Sequence, residues 1–137
     1  MGNCKTYSQG FTTMALQLFL CHTIFLSVCN KALGLESGEI SDGQITASSS
    51  YDSKLLAPFA RLNLKRASIT KGTWIAGSNN VNQWLQVDLS LQYNVTRVAT
   101  QGRRVFRQWV TGYNLLYSDD GVNFFYYEDE EGKTKVS

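Results

Sequence analysis

Two adjacent stretches constrain the fold most: Trp84-Leu85-Gln86-Val87-Asp88-Leu89, and Val95-Thr96-Arg97-Val98-Ala99-Thr100-Gln101-Gly102. In the first, Leu85, Val87 and Leu89 alternate with Gln86 and Asp88. A period of two puts one set on one face of a strand and the other set on the opposite face. This is the pattern of a half-buried antiparallel strand, and it predicts a strand, a short polar connection and a second strand. Residues 109–118 read as a third strand with Tyr113, Leu115 and Tyr117 on one face. Asp120-Gly121 is a hairpin signal, and Phe124-Phe125-Tyr126-Tyr127 is the return strand. Upstream, residues 44–50 read as a short β segment and 61–64 as another. Pro58 opposes a central strand, so 54–59 is expected to be a loop with adjacent apolar residues. No amphipathic helix of useful length follows residue 30, and no internal repeat is visible. The expected class is all-β: short strands spaced by turns, as in sandwiches and jelly rolls.

At 137 residues the chain holds at most one ordinary domain. With 43% hydrophobic and 12% aromatic residues it has the material for a core. The net charge is only +2, but it is unevenly spread. Residues 54–107 carry nine bases (Lys54, Arg61, Lys65, Arg66, Lys71, Arg97, Arg103, Arg104, Arg107) against one acid, Asp88. Residues 108–132 carry six acids (Asp119, Asp120, Glu128, Asp129, Glu130, Glu131) and no base. Such separation either offers a basic surface to anionic partners or reflects ordinary solvated loops.

The N-terminal region holds a 15-residue apolar run from Met14 to Val28, with Lys5 ahead of it and no acid before it. Crossing a bilayer takes roughly 20 apolar residues, so the run is short for a transmembrane helix. Its length suits the hydrophobic region of a secretory signal peptide. Residues 1–28 are therefore expected to be a leader, removed somewhere within 27–32, with Met14 as an alternative start. A rival reading lies in Met1-Gly2-Asn3-Cys4-Lys5-Thr6, which fits a myristoylation pattern with Cys4 open to a second acyl chain. The cysteines are Cys4, Cys21 and Cys29. Cleavage of a leader would leave Cys29 as an odd thiol in an oxidising compartment. Asn94-Val95-Thr96 is an N-glycosylation sequon, which in a secreted chain implies an exposed position for Asn94.

From Cys29 onward the chain resembles the discoidin domain, also called the coagulation factor V/VIII type C domain. The resemblance rests on motifs in order: Cys29 with Ala32-Leu33-Gly34-Leu35-Glu36-Ser37-Gly38-Glu39-Ile40, Gln44-Ile45-Thr46-Ala47-Ser48-Ser49, and Arg61-Leu62-Asn63-Leu64. The loop at Trp74 follows, then Gln83-Trp84-Leu85-Gln86-Val87-Asp88-Leu89, Val98-Ala99-Thr100-Gln101-Gly102 and Tyr113 through Tyr117-Ser118-Asp119-Asp120-Gly121. Thr73 and Phe124 depart from the pattern. The stretch 65–73 is longer than the family's. The resemblance implies a jelly-roll β-sandwich over 29–137. It also implies further core strands and a closing cysteine past Lys135-Val136, the partner of the cysteine matched by Cys29. The chain is thus expected to be a C-terminally truncated domain with its last strands missing and sheet edges open. Self-association through Cys29 or an open edge follows from that expectation.

The same resemblance implies binding through loops at one end of the sandwich. By position these are Lys54, Leu55, Leu56 and Phe59, and then Arg103, Arg104, Val105, Phe106 and Arg107. Leu55, Leu56, Phe59, Val105 and Phe106 are expected as apolar tips, ringed by Lys54, Arg103, Arg104 and Arg107. Apolar tips inside a basic collar suit an anionic bilayer, because tips enter acyl chains while cations meet headgroups. The alternative is that the apolar residues pack back onto the core. A pocket for a peptide's C-terminal arginine, another use within the family, is disfavoured: it resembles Trp-Thr-Pro-Gly followed by an acid, and the matching Trp74-Ile75-Ala76-Gly77-Ser78-Asn79 lacks that hydroxyl and that carboxylate. Trp74, Trp84 and Trp109 would stack on sugars if exposed, although core positions fit Trp84 better.

Catalysis finds no support. The one histidine, His22, lies in the expected leader, which leaves no His-based general base or zinc site behind it. Asp119-Asp120 fits hairpin turn chemistry, and 128–131 lacks the spaced oxygen ligands of a calcium loop. No cofactor, metal or nucleic-acid partner is expected. The expected function is a secreted binding module for cell adhesion or for contact with a cell-surface or matrix protein. The alternatives are an anionic phospholipid such as phosphatidylserine, or a glycan bound by an appended module of a larger protein.

Overall fold

Leu85 and Val87 sit at the centre of the fold, 1% and 0% exposed, on a strand whose burial alternates residue by residue. The computed structural model describes residues 3–9, 13–21, 31–64, 73–103 and 106–128, the first two segments through their backbone. Its strands are β1 (Asn3–Gln9), β2 (Thr13–Cys21), β3 (Lys31–Ala32), β4 (Ile45–Ala47), β5 (Trp74–Ile75), β6 (Gln83–Asp88), β7 (Asn94–Gln101), β8 (Gly112–Ser118) and β9 (Phe125–Tyr126). Two short 3-10 turns, η1 (Asp42–Gln44) and η2 (Ala57–Phe59), complete the described elements. The all-β expectation holds.

The strands form a five-stranded sheet in the order β4-β6-β1-β8-β9, and a second sheet in which β3, β5 and β7 all pair with β2. Every pairing is antiparallel. The core gathers Leu33, Leu35, Ile40, Ile45, Ala57, Ala60, Trp74, Ala76, Leu85, Val87 and Leu89, with Val95, Val98, Val110 and Leu115 packed part-buried against it. Trp74 is fully enclosed and satisfies its indole N–H on the Ser49 carbonyl at 2.8 Å. Gln83 shares the inward face of β6. Its Oε1 accepts from Ser48 Oγ at 2.8 Å and from Ser49 Oγ, and its Nε2 donates to Asn80 at 2.9 Å, so this buried amide is well partnered.

Gln44 pins η1 to the end of β6. Its Oε1 accepts from Ser41, and its Nε2 donates to the Asp88 carbonyl at 2.7 Å and to Ser90 Oγ at 3.1 Å. Residues 61–64 form no strand. The chain turns at Asn63, φ 53°, and Arg61 runs inward, 6% exposed, donating to the Leu35 carbonyl at 2.8 Å and pairing with Asp42 at 2.7 Å. A guanidinium can be buried here because both a carbonyl and a carboxylate meet it.

Two details of the third strand are corrected. The third strand starts at Gly112 rather than at residue 109, and Trp109 is 53% exposed. Its most buried apolar residue is Leu116, while Tyr117 faces water, because β8 has cover on both faces and a tyrosine tolerates solvent at its hydroxyl. The segment expected to be a leader supplies β1 and β2. The facing edges of β6 and β8 are both paired to β1. Cys29 lies outside the described residues, as do 129–132 of the acidic turn.

The hairpin after β8 is a turn built on one carboxylate. Asp120 Oδ1 accepts the N–H groups of Val122 and Asn123 at 2.8 Å each and the Ser118 hydroxyl at 2.9 Å, while Asn123 Nδ2 donates to Oδ2 at 2.6 Å. Gly121 supplies the left-handed residue at φ 73°. These donors, the Asn123 and Val122 backbone N–H groups first, hold the Asp120 carboxyl well below the usual carboxylate range. The pair Asp119-Asp120 thus serves the turn.

Two outcomes are expected. Leu85→Ala should destabilise the domain by about 2–5 kcal/mol in a denaturant titration, because the site has no room to relax. The hairpin should be unaffected by pH from 7 to about 5. Its Asp120 contribution is complete above the unfolded carboxyl value of about 3.9 and is lost as pH falls below it toward the depressed folded value. An NMR titration of the Val122 and Asn123 amides reads this out, and Asp120→Asn should remove the dependence.

Candidate functional site

The register along β2 decides which loops share an end. Thr13 pairs with Ile75, Met14 with Trp74 and Ala15 with Gln101, so β5 and the end of β7 meet at the start of β2. The 51–60 loop is tied to the same place. The Tyr51 N–H donates to the Ile75 carbonyl at 2.8 Å, and the Ile75 N–H donates to the Leu55 carbonyl at 3.3 Å. β8 begins at Gly112 opposite Gln9, the last residue of β1. The 102–111 loop, running from Gln101 to Gly112, therefore leaves and returns at this end. The Asn63 N–H donates to Gln101 Oε1 at 3.0 Å and draws the chain after η2 onto it as well. The sequon residue Asn94 is exposed and pairs with Cys21 at the far end of β2.

Within the first loop, Asp52 Oδ1 accepts the Lys54 N–H at 2.7 Å and its carbonyl accepts the Leu55 N–H at 3.2 Å. Pro58 presets the backbone of η2, which closes through Phe59 N–H to Leu56 O and Ala60 N–H to Ala57 O, both 2.9 Å. This turn sorts the apolar residues. Leu55, Ala57 and Ala60 go inward at 6%, 7% and 1% exposure, and Leu56 stays out at 40%. Lys54 is exposed and Phe59 is half-buried. Leu55 is thus corrected from tip to core, because its carbonyl and the β5 backbone hold it against Trp74's strand.

The second loop is folded on itself by Arg103. Its N–H donates to the Gln108 carbonyl at 2.8 Å, its Nη1 donates to Gln108 Oε1 at 2.9 Å, and its guanidinium carbon lies 3.9 Å from the Phe106 ring centroid. A cation–π contact of this kind stabilises by about 0.5–1 kcal/mol at an exposed site. Arg103 therefore braces the loop as well as charging it. Gly102 permits the close approach of the two limbs, since a Cβ there would lie 3.0 Å from Trp109 Cβ and 3.1 Å from the Gln108 carbonyl oxygen. Phe106 is 45% exposed and Arg107 is exposed. Arg104 and Val105 lie outside the described residues.

The structure adds two residues that the sequence reasoning did not place on the rim: Tyr51, 69% exposed, and Trp109, 53% exposed. Each flanks one of the two loops. The rim so assembled presents Tyr51, Leu56, Phe106 and Trp109 beside the cations Lys54 and Arg107. One of the nine bases, Arg61, does not contribute to the surface. Arg61 is buried in its pair with Asp42, and Lys65, Arg66 and Lys71 lie outside the described residues. Among the described residues no group of three or more His, Cys, Asp or Glu side chains is placed to hold a metal ion.

A profile of the F5/8 type C domain matches residues 44–137. The chain belongs to this family. It is 41% identical to lactadherin of Rattus norvegicus over 129 residues, which covers 90% of this chain and 29% of lactadherin. It is 40% identical over 133 residues to the human EGF-like repeat and discoidin I-like domain-containing protein 3, covering 90% of this chain and 26% of that protein. It is 35% identical over 113 residues to mouse retinoschisin, covering 78% of this chain and 49% of retinoschisin. The chain thus spans between about a quarter and a half of the length of these relatives. No solved structure matches it significantly. The resemblance read from the motifs is therefore the family itself.

Because Arg103 and Arg107 have different surroundings, their removal should separate. Arg103→Ala should destabilise the 102–108 loop by about 1–2 kcal/mol, seen as faster amide exchange at Gln108. Arg107→Ala should change stability by less than about 0.5 kcal/mol.

Proposed function

We propose that this F5/8 type C chain is an extracellular, non-catalytic module that attaches to a cell surface by its loop rim, with an anionic phospholipid bilayer as the primary contact. The observation that carries this reading is the convergence at one end of the sandwich of exposed apolar side chains, Leu56 and Phe106 among them, with the exposed cations Lys54 and Arg107. Apolar tips gain by leaving water for the acyl boundary, and each interfacial base contributes on the order of 1 kcal/mol against an anionic leaflet. The sequon at Asn94 lies at the other end of β2, so a glycan there would leave the rim clear. Extracellular placement is supported by that sequon and by the resemblance. A protein or glycan on the same surface would meet the same rim, and the exposed indole of Trp109 is the side chain suited to sugar stacking.

Sedimentation with phosphatidylcholine vesicles, with and without phosphatidylserine, tests the reading. Binding is expected only with phosphatidylserine, and it should weaken as salt is raised. Leu56→Ser and Phe106→Ser should each weaken it by roughly tenfold, as expected for losing one inserted side chain. Arg107→Ala should weaken it by about fivefold. Absence of binding to phosphatidylserine vesicles by the folded protein would refute the bilayer contact. Glycan binding that requires Trp109 and survives Leu56→Ser would point to sugar instead.

A further inference from the structure

Among the described strands, β3, β5 and β7 each pair with β2 and with no other strand. β2 meets β7 from Ala15 to Cys21, β3 at Phe19 and Leu20, and β5 at Thr13 and Met14. Without β2 the second sheet has no ladder. The first sheet shows the same dependence on the preceding strand. β1 pairs with β6 from Asn3 to Ser8 and with β8 from Asn3 to Gln9, and β6 and β8 touch no other strand along those edges. Their remaining partners are short. β4 offers three residues to β6, and β9 offers two to β8. Residues 3–9 and 13–21 are thus the central strands of the first and the second sheet respectively.

An apolar run such as 14–28 has two physical readings. It is the hydrophobic stretch of an export leader, or it is a strand covered on both sides. The pairing favours the second for 13–21. Backbone groups in the interior of a sheet must be bonded, and long unpaired edges on β6, β7 and β8 would each expose or bury a row of unsatisfied N–H and C=O groups.

We propose that residues 3–9 and 13–21 are the resident strand pair of the folded domain: β1 fills the slot between β6 and β8, β2 assembles β3, β5 and β7, and both stay with the domain once it has folded. The segment works as a strand donor supplied in cis. Its rival is the reading in which 1–28 directs export and is cleaved before the domain folds; the proposal requires that export proceed without that cleavage. This inference stands on the ladders alone and does not depend on what the rim binds.

The test uses the full chain carrying a site-specific protease sequence inserted between Cys21 and Lys31, cut under native conditions. The N-terminal fragment should co-elute with the remainder on gel filtration and separate only in denaturant. In the uncut chain, backbone amides of 3–9 and 13–21 should exchange roughly a hundredfold or more slower than in an unfolded peptide, in step with those of β6. Thr6→Pro, which removes a ladder donor from a strand paired on both edges, should abolish that protection in β1 and lower the melting temperature. Release of the fragment with an unchanged melt of the remainder would overturn the proposal. So would amide exchange at 3–9 as fast as in an unfolded peptide. Recovery of a folded, exported chain beginning within 27–32 would do the same.

Discussion

Backbone pairing to β1 and β2 is the constraint on which the rest of this fold depends. Side-chain burial on β6 supplies the driving force, but burial has no direction. What turns a collapsed apolar set into two defined layers is the requirement that each interior N–H and C=O find a partner. β1 meets that requirement for β6 and β8 at once, and β2 meets it for the three strands of the other sheet. The register of β2 also carries the functional geometry. Because it pairs Ile75 near its start and Gln101 two residues on, it brings two loops far apart in sequence to one end of the molecule.

The two layers divide their labour cleanly. The inward faces carry Leu85, Val87 and Trp74, which are closed to any ligand. On the proposed reading, recognition falls to the rim, where turns hold selected side chains in water. η2 shows how this sorting works: one short turn sends Leu55 and Ala57 inward and leaves Leu56 between them pointing out. The cost of exposing a leucine or phenylalanine is small for the folded chain and is recovered when a partner covers it.

Charges in this chain are used largely to shape it. Arg61 is spent on the Leu35 carbonyl and Asp42, Arg103 on Gln108 and the Phe106 ring, and Asp120 on the hairpin amides. Arg61, buried in its ion pair, therefore adds little to the field offered to an anionic partner. Lys54 and Arg107 are exposed at the rim, and on the proposed reading two cations beside apolar tips suit a contact that depends on desolvation as much as on Coulomb attraction.

Much of this was legible from residues. The alternation of Leu85, Val87 and Leu89 with Gln86 and Asp88 determined the strand and its inward face, because a period of two has one geometric meaning. Asp120-Gly121 determined the hairpin, since its carboxylate and its glycine act within a few residues of chain. The motif order from Cys29 onward determined the family. The fate of each apolar residue in a loop was beyond reach, because hydropathy gives the same value to Leu55 and Leu56 and only the η2 turn against β5 distinguishes them. The rim positions of Trp109 and Tyr51 were out of reach for the same reason. The greatest gap was the N-terminal run, where composition fits a leader and a central strand equally well. The partners that the structure gives these strands, Val98 to Thr100 for β2 and Leu85 to Val87 for β1, are distant in sequence, and hydrogen bonds to distant residues leave no mark on the local sequence.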